Sequence, residues 1–338
     1  MSTLKGIQGF GIQNRSSDPT TFITGQIWYN STDHAFRLTV SGTNVPDAWA
    51  TGGSMSTGRR FLGGTGTQSA GLAFGGDTGN QTSPRSSALT EEYNGSSWTN
   101  GGALGTGRYG IASAINGTQS AALAFGGVLP GNNTKKTEEY DGSSWTNGGD
   151  LNTGAYYMAG AGTQTAGLAF GGLTINGGSP FDSNTNTEEY NGSSWTTANV
   201  MSNRRYTSGG AGTQTAGLAV GGRNRDNNTT LTACEQYDGT NWSSGGNLGN
   251  AAYKGAAFGT QTAAVACSGL PGPQSRTELY DGTSWRSSTT INTARAYLAG
   301  AGSQTAGLIF GGGPQTTPST ATEEFETGNP ATRTLTVT

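Results

Sequence analysis

An eleven-residue stretch recurs six times in this chain and constrains its fold more than any other feature. The clearest copy, Gly162–Gly172, reads Gly-Thr-Gln-Thr-Ala-Gly-Leu-Ala-Phe-Gly-Gly. The copies begin at Gly66, Gly117, Gly162, Gly212, Gly259 and Gly302, about 43 to 51 residues apart. A period of roughly 40–50 residues, built from strand-like runs and glycine-rich turns, is typical of a β-propeller in which each repeat forms one blade.

Each repeat divides into four strand-like segments, as expected for a propeller blade. In the second repeat the first two segments are an inner strand around Tyr109–Ala114 and the apolar run Ala121–Gly127. The third is Thr137–Tyr140, and the fourth begins at Trp145. Asp-Gly or Asn-Gly pairs, which strongly favour β-hairpins, separate the third segment from the fourth.

Counting the segments predicts how the ring closes. Six third strands are present, but only five tryptophans follow them, and Trp49 can supply the sixth from the start of the array. We therefore predict an all-β, six-bladed propeller in which the strand at Trp49 pairs beside Thr322–Phe325, which removes an exposed sheet edge. The last alternating segment, Thr332–Thr338, either competes for that edge or pairs with an N-terminal hairpin.

The chain is predicted to have three parts. Residues 1–46 form an arm and a β-hairpin at Gly25–Val40, residues 47–326 form the propeller, and residues 327–338 form a C-terminal strand or tail. Because an isolated hairpin is marginally stable in water, we expect it to dock on the propeller, on another copy or on a partner. We interpret it as an attachment module.

Composition excludes several classes of protein. Of 338 residues 59 are glycine, against a usual ~7 %, yet the fixed register of apolar residues argues against disorder. The net charge is −3 and no basic block is present, so nucleic-acid binding is not predicted. The sequence contains no run of 18 apolar residues, so membrane insertion is not predicted. The first residues lack the apolar core of a signal peptide, so we expect synthesis in a cytoplasm.

Few residues are suited to metal or redox chemistry. The two cysteines, Cys234 and Cys267, lie in neighbouring repeats, and we expect free, partly buried thiols. His34 is the only histidine and lies outside the repeats. We therefore assign no metal site, no cofactor and no catalytic residue.

The repeats resemble those of the kelch family. The shared features are the paired glycines, the order of Tyr140 and Trp145, and the arginine that opens the inner strand. The resemblance covers roughly residues 49–325. Only four residues separate the tyrosine from the tryptophan, where a typical kelch repeat has six. This shorter hairpin resembles kelch-like proteins of tailed phages, and Gly25–Asn30 resembles short segments of phage tail fibres.

Two sets of charged residues repeat with the blades, and each has a structural and a functional interpretation. One glutamate per blade, such as Glu138, is expected to accept hydrogen bonds or to pair with an inner-strand arginine. In two blades an alanine, Ala155 or Ala252, occupies the position at which the other blades have this arginine. The arginines either pair with carboxylates or carbonyl groups, or surround the channel mouth and attract an anion. They are Arg59, Arg108, Arg204 and Arg295.

The sequence lacks the residues that two kinds of propeller enzyme need. The copper-radical oxidases with kelch-like blades need two histidines on the metal, and this chain has one. The turn from Asp141 to Trp145 resembles a sialidase Asp box but is one residue too short. Adjacent glutamates such as Glu138 and Glu139 point to opposite faces of a strand and cannot flank one glycosidic bond.

The loops between the second and third strands differ in every blade, and we expect them to gather on one face. Variable loops on a rigid scaffold are common binding sites, although these loops could also be merely solvated. The candidate ligand-binding residues are Lys135, Lys136, Phe181, Asp182, Arg223, Arg225 and Asp226.

These observations, with the phage resemblance, predict a non-enzymatic virion appendage. It would bind host-surface glycans, or join other virion proteins through the N-terminal module, and it could be a homo-oligomer. The alternatives are a glycan-processing enzyme of sialidase type and a kelch adaptor for protein partners.

Overall fold

The computed structural model describes residues 13–16, 27–32, 35–39, 46–79, 85–129, 132–174, 182–272, 274–314, 317–328 and 332–335. The chain divides into two compact units. One combines residues 1–47 with 327–338, and the other spans residues 48–326. Every regular element in the described residues is a β-strand.

The smaller unit contains one four-stranded sheet. Gln13–Arg15 pairs in parallel with Ile27–Asn30, which forms a hairpin with Ala35–Thr39. Thr332–Leu335 pairs antiparallel with Ala35–Thr39. The C-terminal strand therefore completes the sheet of the N-terminal hairpin, which answers a question that the sequence left open.

The larger unit consists of six four-stranded antiparallel sheets, the blades of a β-propeller. From the inner to the outer strand, blade 1 is Gly63–Thr67, Ala70–Phe74, Thr90–Tyr93 and Trp98–Asn100. Blade 2 is Ala112–Ser113, Ala122–Phe125, Thr137–Tyr140 and Trp145–Asn147. Blade 3 is Ala159–Thr163, Ala166–Phe170, Thr187–Tyr190 and Trp195–Ala198.

The second half of the ring repeats this arrangement. Blade 4 is Gly209–Thr213, Ala216–Val220, Cys234–Tyr237 and Trp242–Ser244. Blade 5 is Ala256–Thr260, Ala263–Cys267, Thr277–Tyr280 and Trp285–Ser287. Blade 6 is Ala296–Gly302, Ala306–Gly313, Thr322–Glu326 and, from the other end of the array, Ala48–Thr51. Short two-strand ribbons extend three loops: Val128–Leu129 with Asn132–Asn133, Leu173–Thr174 with Asp182–Ser183, and Arg223–Asn224 with Thr229–Thr230.

The ring closes as predicted. Ala48–Thr51 is the outer strand of blade 6, and Trp49 lies opposite Phe325 in the ladder. The two rings are 4.9 Å apart between centroids. This pairing joins the two ends of the array, so no blade is left with three strands.

Small residues on the second strands make room for the neighbouring blade. A Cβ atom added to Gly167 of blade 3 would lie 2.7 Å from Cδ2 of Leu123 in blade 2. The same contact recurs between Gly217 and Leu168. These glycines therefore let adjacent blades interdigitate, because a larger residue would overlap its neighbour.

Three side chains in each of five repeats, and two in the last, connect adjacent blades through hydrogen bonds. The glutamine of each Gly-Thr-Gln turn donates to backbone carbonyl groups of the preceding blade, as Gln214 does to Gly167 and Tyr190 at 3.0 and 2.7 Å. In five of the six blades the tryptophan of the outer strand donates to a threonine hydroxyl, as in Trp195 to Thr137 at 2.8 Å, whereas Trp285 donates to the carbonyl oxygen of Gly246. These bonds explain why Gln and Trp recur.

In four blades the third connection joins a tyrosine to the second glutamate of the preceding blade, and in blade 5 Tyr280 accepts from Gln236 at 2.9 Å instead. Tyr140 donates its hydroxyl proton to Glu92 at 2.6 Å. In the last blade a phenylalanine, Phe325, replaces the tyrosine, and the residue at the glutamate position of the preceding blade is Leu279. Both lie in one apolar cluster. Where the tyrosine is replaced by phenylalanine, its glutamate partner is thus replaced by leucine, as expected if the two positions are in direct contact.

Candidate ligand-binding site at the channel mouth

The long loops lie on the same face of the propeller as the entrance to its central channel. In five blades the residue that opens the inner segment forms a backbone bridge with the start of the long loop, as Tyr206 does with Arg223. The Gly-Thr-Gln and Asp-Gly turns lie at the opposite ends of the strands. We call the first side the loop face.

A closed ring of backbone hydrogen bonds frames the channel on the loop face. One residue from each blade donates its N–H group to the carbonyl oxygen of the equivalent residue in the preceding blade, at 2.7 to 2.9 Å. All six have φ between 50° and 64°, a region in which non-glycine residues are uncommon. We call these residues the collar: Phe61, Gly110, Tyr157, Thr207, Lys254 and Tyr297.

Aromatic side chains gather on the collar. The ring of Phe61 lies 4.4 Å from that of Tyr297 and 5.0 Å from that of Tyr157. A second row, one residue earlier in four of the blades, surrounds it: Tyr109, Tyr156, Tyr206 and Tyr253. Backbone strain of this kind persists only where the surroundings fix it, and it is frequent at functional sites.

Lys254 lies among these rings. Its Nζ is 4.8 Å from the ring centroid of Tyr297, 5.2 Å from that of Tyr253 and 6.0 Å from that of Phe61. Burial lowers the pKa of Lys254 to about 8, and the charges of Arg223 and Arg60 act in the same direction. Within the described residues, no carboxylate pairs with its ammonium group.

Other cations surround the collar. The guanidinium of Arg223 lies 4.9 Å from the Tyr253 ring centroid and donates to the Tyr253 hydroxyl at 2.7 Å. The carboxylate of Asp77 accepts from Arg60 at 3.0 Å and from Arg85 at 2.9 Å. Burial alone would raise the pKa of Asp77, but hydrogen bonds from Arg85, Gly79 and Arg60 outweigh it and lower the pKa.

A cavity of about 80 Å³ lies within the collar, lined by its side chains and by Met158, Ser208 and Leu298. It leads into the central channel, where a cavity of about 120 Å³ is lined by the inner strands. Ser208 lines both cavities, and its hydroxyl group is buried and has no hydrogen-bond partner. The mouth therefore combines rings, cations and an unused hydroxyl group.

The predicted arginine set lies inside the blades rather than at the mouth. Arg59 and Arg108 are fully buried, and Arg295 is 1 % exposed. Arg108 donates to Glu138 at 2.7 Å and to two carbonyl oxygens at 2.8 Å. Arg295 pairs with Glu323 in the same way. The structural interpretation of these arginines and glutamates is therefore confirmed, and the channel-mouth placement is wrong.

The fourth member of the set is Arg205, so the prediction of Arg204 was wrong by one position. Arg205 is fully buried and donates to Glu235 at 2.5 Å, whereas the side chain of Arg204 is 52 % exposed. Two arginines stand side by side in the sequence, and spacing alone does not distinguish them. The blade register decides, because Asn184 bridges to Arg205.

The structure brings some of the predicted loop residues together. The hydroxyl of Ser183 contacts Asp226 at 3.5 Å and accepts from the N–H group of Arg225 at 3.2 Å. Arg204 lies 3.6 Å from Asp226. Asp182 and Arg204 line a polar hollow of about 280 Å³ beside blade 3.

The remaining predicted residues are not part of these groups. Lys135 is exposed on the loop of blade 2, and Lys136 donates to the hydroxyl of Thr106 at 3.3 Å. Phe181 and His34 lie outside the described residues. Sequence reasoning missed the collar. The available signal was the position two residues after the repeated arginine, where Phe61, Tyr157 and Tyr297 recur.

Both cysteines are buried and free. Burial raises the pKa of both thiols, and it raises that of Cys267 to about 12. Among the described residues, no three His, Cys, Asp or Glu side chains cluster closely enough to bind a metal ion. The described part of the chain also contains no helix long and apolar enough to cross a membrane.

Comparison with known proteins identifies the fold. No family model and no curated protein sequence matches the chain. A solved structure reported as "Structure of YjhT" is similar, with a TM-score of 0.68, 13 % sequence identity, and coverage of 84 % of this chain and 99 % of that one. At this identity the likeness shows the fold alone, which is a six-bladed β-propeller.

Proposed function

We propose that this chain is a non-enzymatic adhesin that binds surface glycans at the collar and forms part of a phage virion. The observation that carries the binding proposal is the collar itself. Four aromatic or cationic side chains converge over one cavity, on backbone that six interblade hydrogen bonds fix in a strained conformation.

Such a surface suits carbohydrate. Aromatic rings present rigid, partly apolar contact area at a low cost in conformational entropy. Hydroxyl and guanidinium groups at the rim, such as those of Tyr253 and Arg223, supply hydrogen bonds to sugar hydroxyl groups. The loops beside the collar differ in length and composition between blades, so they offer different contacts around one fixed centre.

The kelch-like and phage-like sequence features support the rest of the proposal. The tyrosine-to-tryptophan spacing resembles that of phage kelch-like proteins, and the Gly25–Asn30 segment resembles parts of phage tail fibres. In this proposal the unit of residues 1–47 and 327–338 attaches the chain to other virion proteins, and the loop face contacts the host.

Immunogold electron microscopy tests the virion proposal. Antibody raised against the full chain is applied to phage particles from a lysate that contains this gene. Gold on tail or capsid appendages is the expected result. Label confined to free protein or bacterial debris would contradict a virion role, and assays of glycan hydrolysis would then test the enzyme alternative.

A further inference from the structure

The charges around the collar do not balance. Besides Lys254, three arginines lie beside rings of the collar or of the second row: Arg60, Arg85 and Arg223. The carboxylate found among them in the described residues is Asp77, and both Arg60 and Arg85 already bind it. The segments left undescribed in the propeller loops contain no charged residue. The mouth is therefore positive while the chain as a whole has a net charge of −3.

Lys254 and Arg223 carry two of the three excess positive charges. Both cations contact the same ring, that of Tyr253, at 5.2 and 4.9 Å from its centroid. The Nε of Arg223 is buried and has no hydrogen-bond partner. Placing two like charges in a partly buried aromatic site costs free energy unless an opposite charge compensates it. An anionic ligand would supply that charge.

We propose that the collar recognises saccharides through an anionic substituent, a carboxylate or a phosphate, that Lys254 and Arg223 bind. This inference rests on the proposed glycan-binding function and adds the class of ligand. The sugar ring lies against Tyr157, Tyr297 and Phe61, and the unpartnered hydroxyl of Ser208 in the cavity donates to or accepts from a sugar hydroxyl group.

The neighbours of Lys254 define how binding depends on pH. The charged and titratable groups that face it are Arg60 and Arg223, which disfavour its protonation, and the phenols of Tyr253 and Tyr297. Because burial lowers the pKa of Lys254 to about 8, its ammonium charge is lost as the pH rises through that value. The preference for anionic sugars declines over the same interval.

Matched sugar pairs test the proposal. The full chain is titrated with methyl glucoside, methyl glucuronide and glucose 6-phosphate, and the dissociation constants are measured by NMR. We expect at least one anionic sugar to bind roughly 10-fold or more tightly than the neutral one, the effect of a hydrogen bond to a charged group. The glucuronide and phosphate arms show which anion the site accepts.

Two substitutions and a control locate the effect. Lys254→Met should reduce the preference for the anion, and the Lys254→Met, Arg223→Met double variant should lose it. Lys254→Arg should keep the preference and abolish its decline above pH 8, since arginine stays protonated. Arg286→Met removes an exposed charge on an outer strand of blade 5 and should change neither quantity.

The outcomes separate this inference from the function on which it rests. Equal affinity of the wild type for neutral and anionic sugars overturns the anion proposal and leaves glycan binding intact. So does a preference that survives in a folded Lys254→Met, Arg223→Met double variant. Failure to bind any sugar overturns both proposals.

Discussion

Two adjacent arginines provide a matched test of the blade register. Arg205 is fully buried and makes three short hydrogen bonds, to the carbonyl oxygens of Gly221 and Ala233 at 2.7 and 2.8 Å and to Glu235 at 2.5 Å. Arg204 is half-exposed, with Asp226 at 3.6 Å. Both can be replaced by alanine, so the same chemical change is made at positions one residue apart.

Arg205→Ala is expected to cost more stability than Arg204→Ala. Arg205→Ala leaves the buried Glu235 carboxylate without its cation, and breaking such a pair destabilises a protein by about 3–5 kcal/mol. Glu235 keeps the N–H group of Ser202 at 2.7 Å, which places the cost at the lower end. Arg204→Ala breaks a solvent-screened pair, for which about 0–1 kcal/mol is expected, and a hydrogen bond to the carbonyl oxygen of Ser183 at 2.8 Å, which contributes about 1 kcal/mol.

Urea unfolding followed by tryptophan fluorescence measures both free energies. The double variant Arg205→Ala, Glu235→Gln should recover part of the loss, because it removes the uncompensated buried charge. A larger cost for Arg204→Ala than for Arg205→Ala would refute the register. Equal small costs would refute the claim that the buried pair stabilises blade 4.

Four further predictions follow from named contacts. Gln261→Ala should lower the free energy of unfolding by about 1–3 kcal/mol, because two interblade bonds from its amide, at 2.9 and 2.7 Å, are lost; a thermal unfolding curve unchanged from wild type contradicts this. Tyr140→Phe should destabilise the chain, and adding Glu92→Leu should restore stability, as at Phe325 and Leu279; no recovery in urea unfolding contradicts direct pairing. Burial raises the pKa of Tyr93, Tyr140 and Tyr190 from 10 to about 12, and their hydrogen bonds to glutamate act in the same direction. Because these tyrosines ionise first in the unfolded state, the free energy of unfolding should fall as the pH rises from 10 to 12; a free energy of unfolding that stays constant over this interval contradicts these shifts. Lys254→Met should raise the melting temperature at pH 7, because the lowered lysine pKa means that its charge opposes folding below about pH 8; a lower melting temperature contradicts an uncompensated charge.

The repeat made most of the fold predictable. Six copies of one motif gave the number of blades, and the missing sixth tryptophan indicated that Trp49 closes the ring. These inferences depend on counting and on strand periodicity, which do not require tertiary contacts. The roles of the repeated Gln and Trp side chains were not predicted, because their partners lie in another blade, as Thr137 does for Trp195.

The binding site was less accessible to sequence reasoning. The differences between the loops of the six blades predicted binding residues there, and one of them, Arg223, lies beside the collar against Tyr253. The recurrence of Phe61, Tyr157 and Tyr297 marks the collar position in the sequence, but the φ values and the hydrogen bonds between blades that build the collar depend on tertiary contacts. Arg204 and Arg205 are adjacent and chemically identical, so the sequence does not distinguish them. Only the strand register determines that the side chain of Arg205 is buried in the blade and that of Arg204 is exposed.

Binding to an array of immobilised bacterial surface glycans tests the central claim most directly. Wild type is compared with the Tyr157→Ala, Tyr297→Ala double variant and with Arg286→Ala as a control far from the mouth, each first shown to be folded by circular dichroism. We predict that wild type and the control bind a defined set of glycans and that the collar variant does not. Equal binding by the folded collar variant, or binding by none of the three, would contradict a glycan site at the channel mouth.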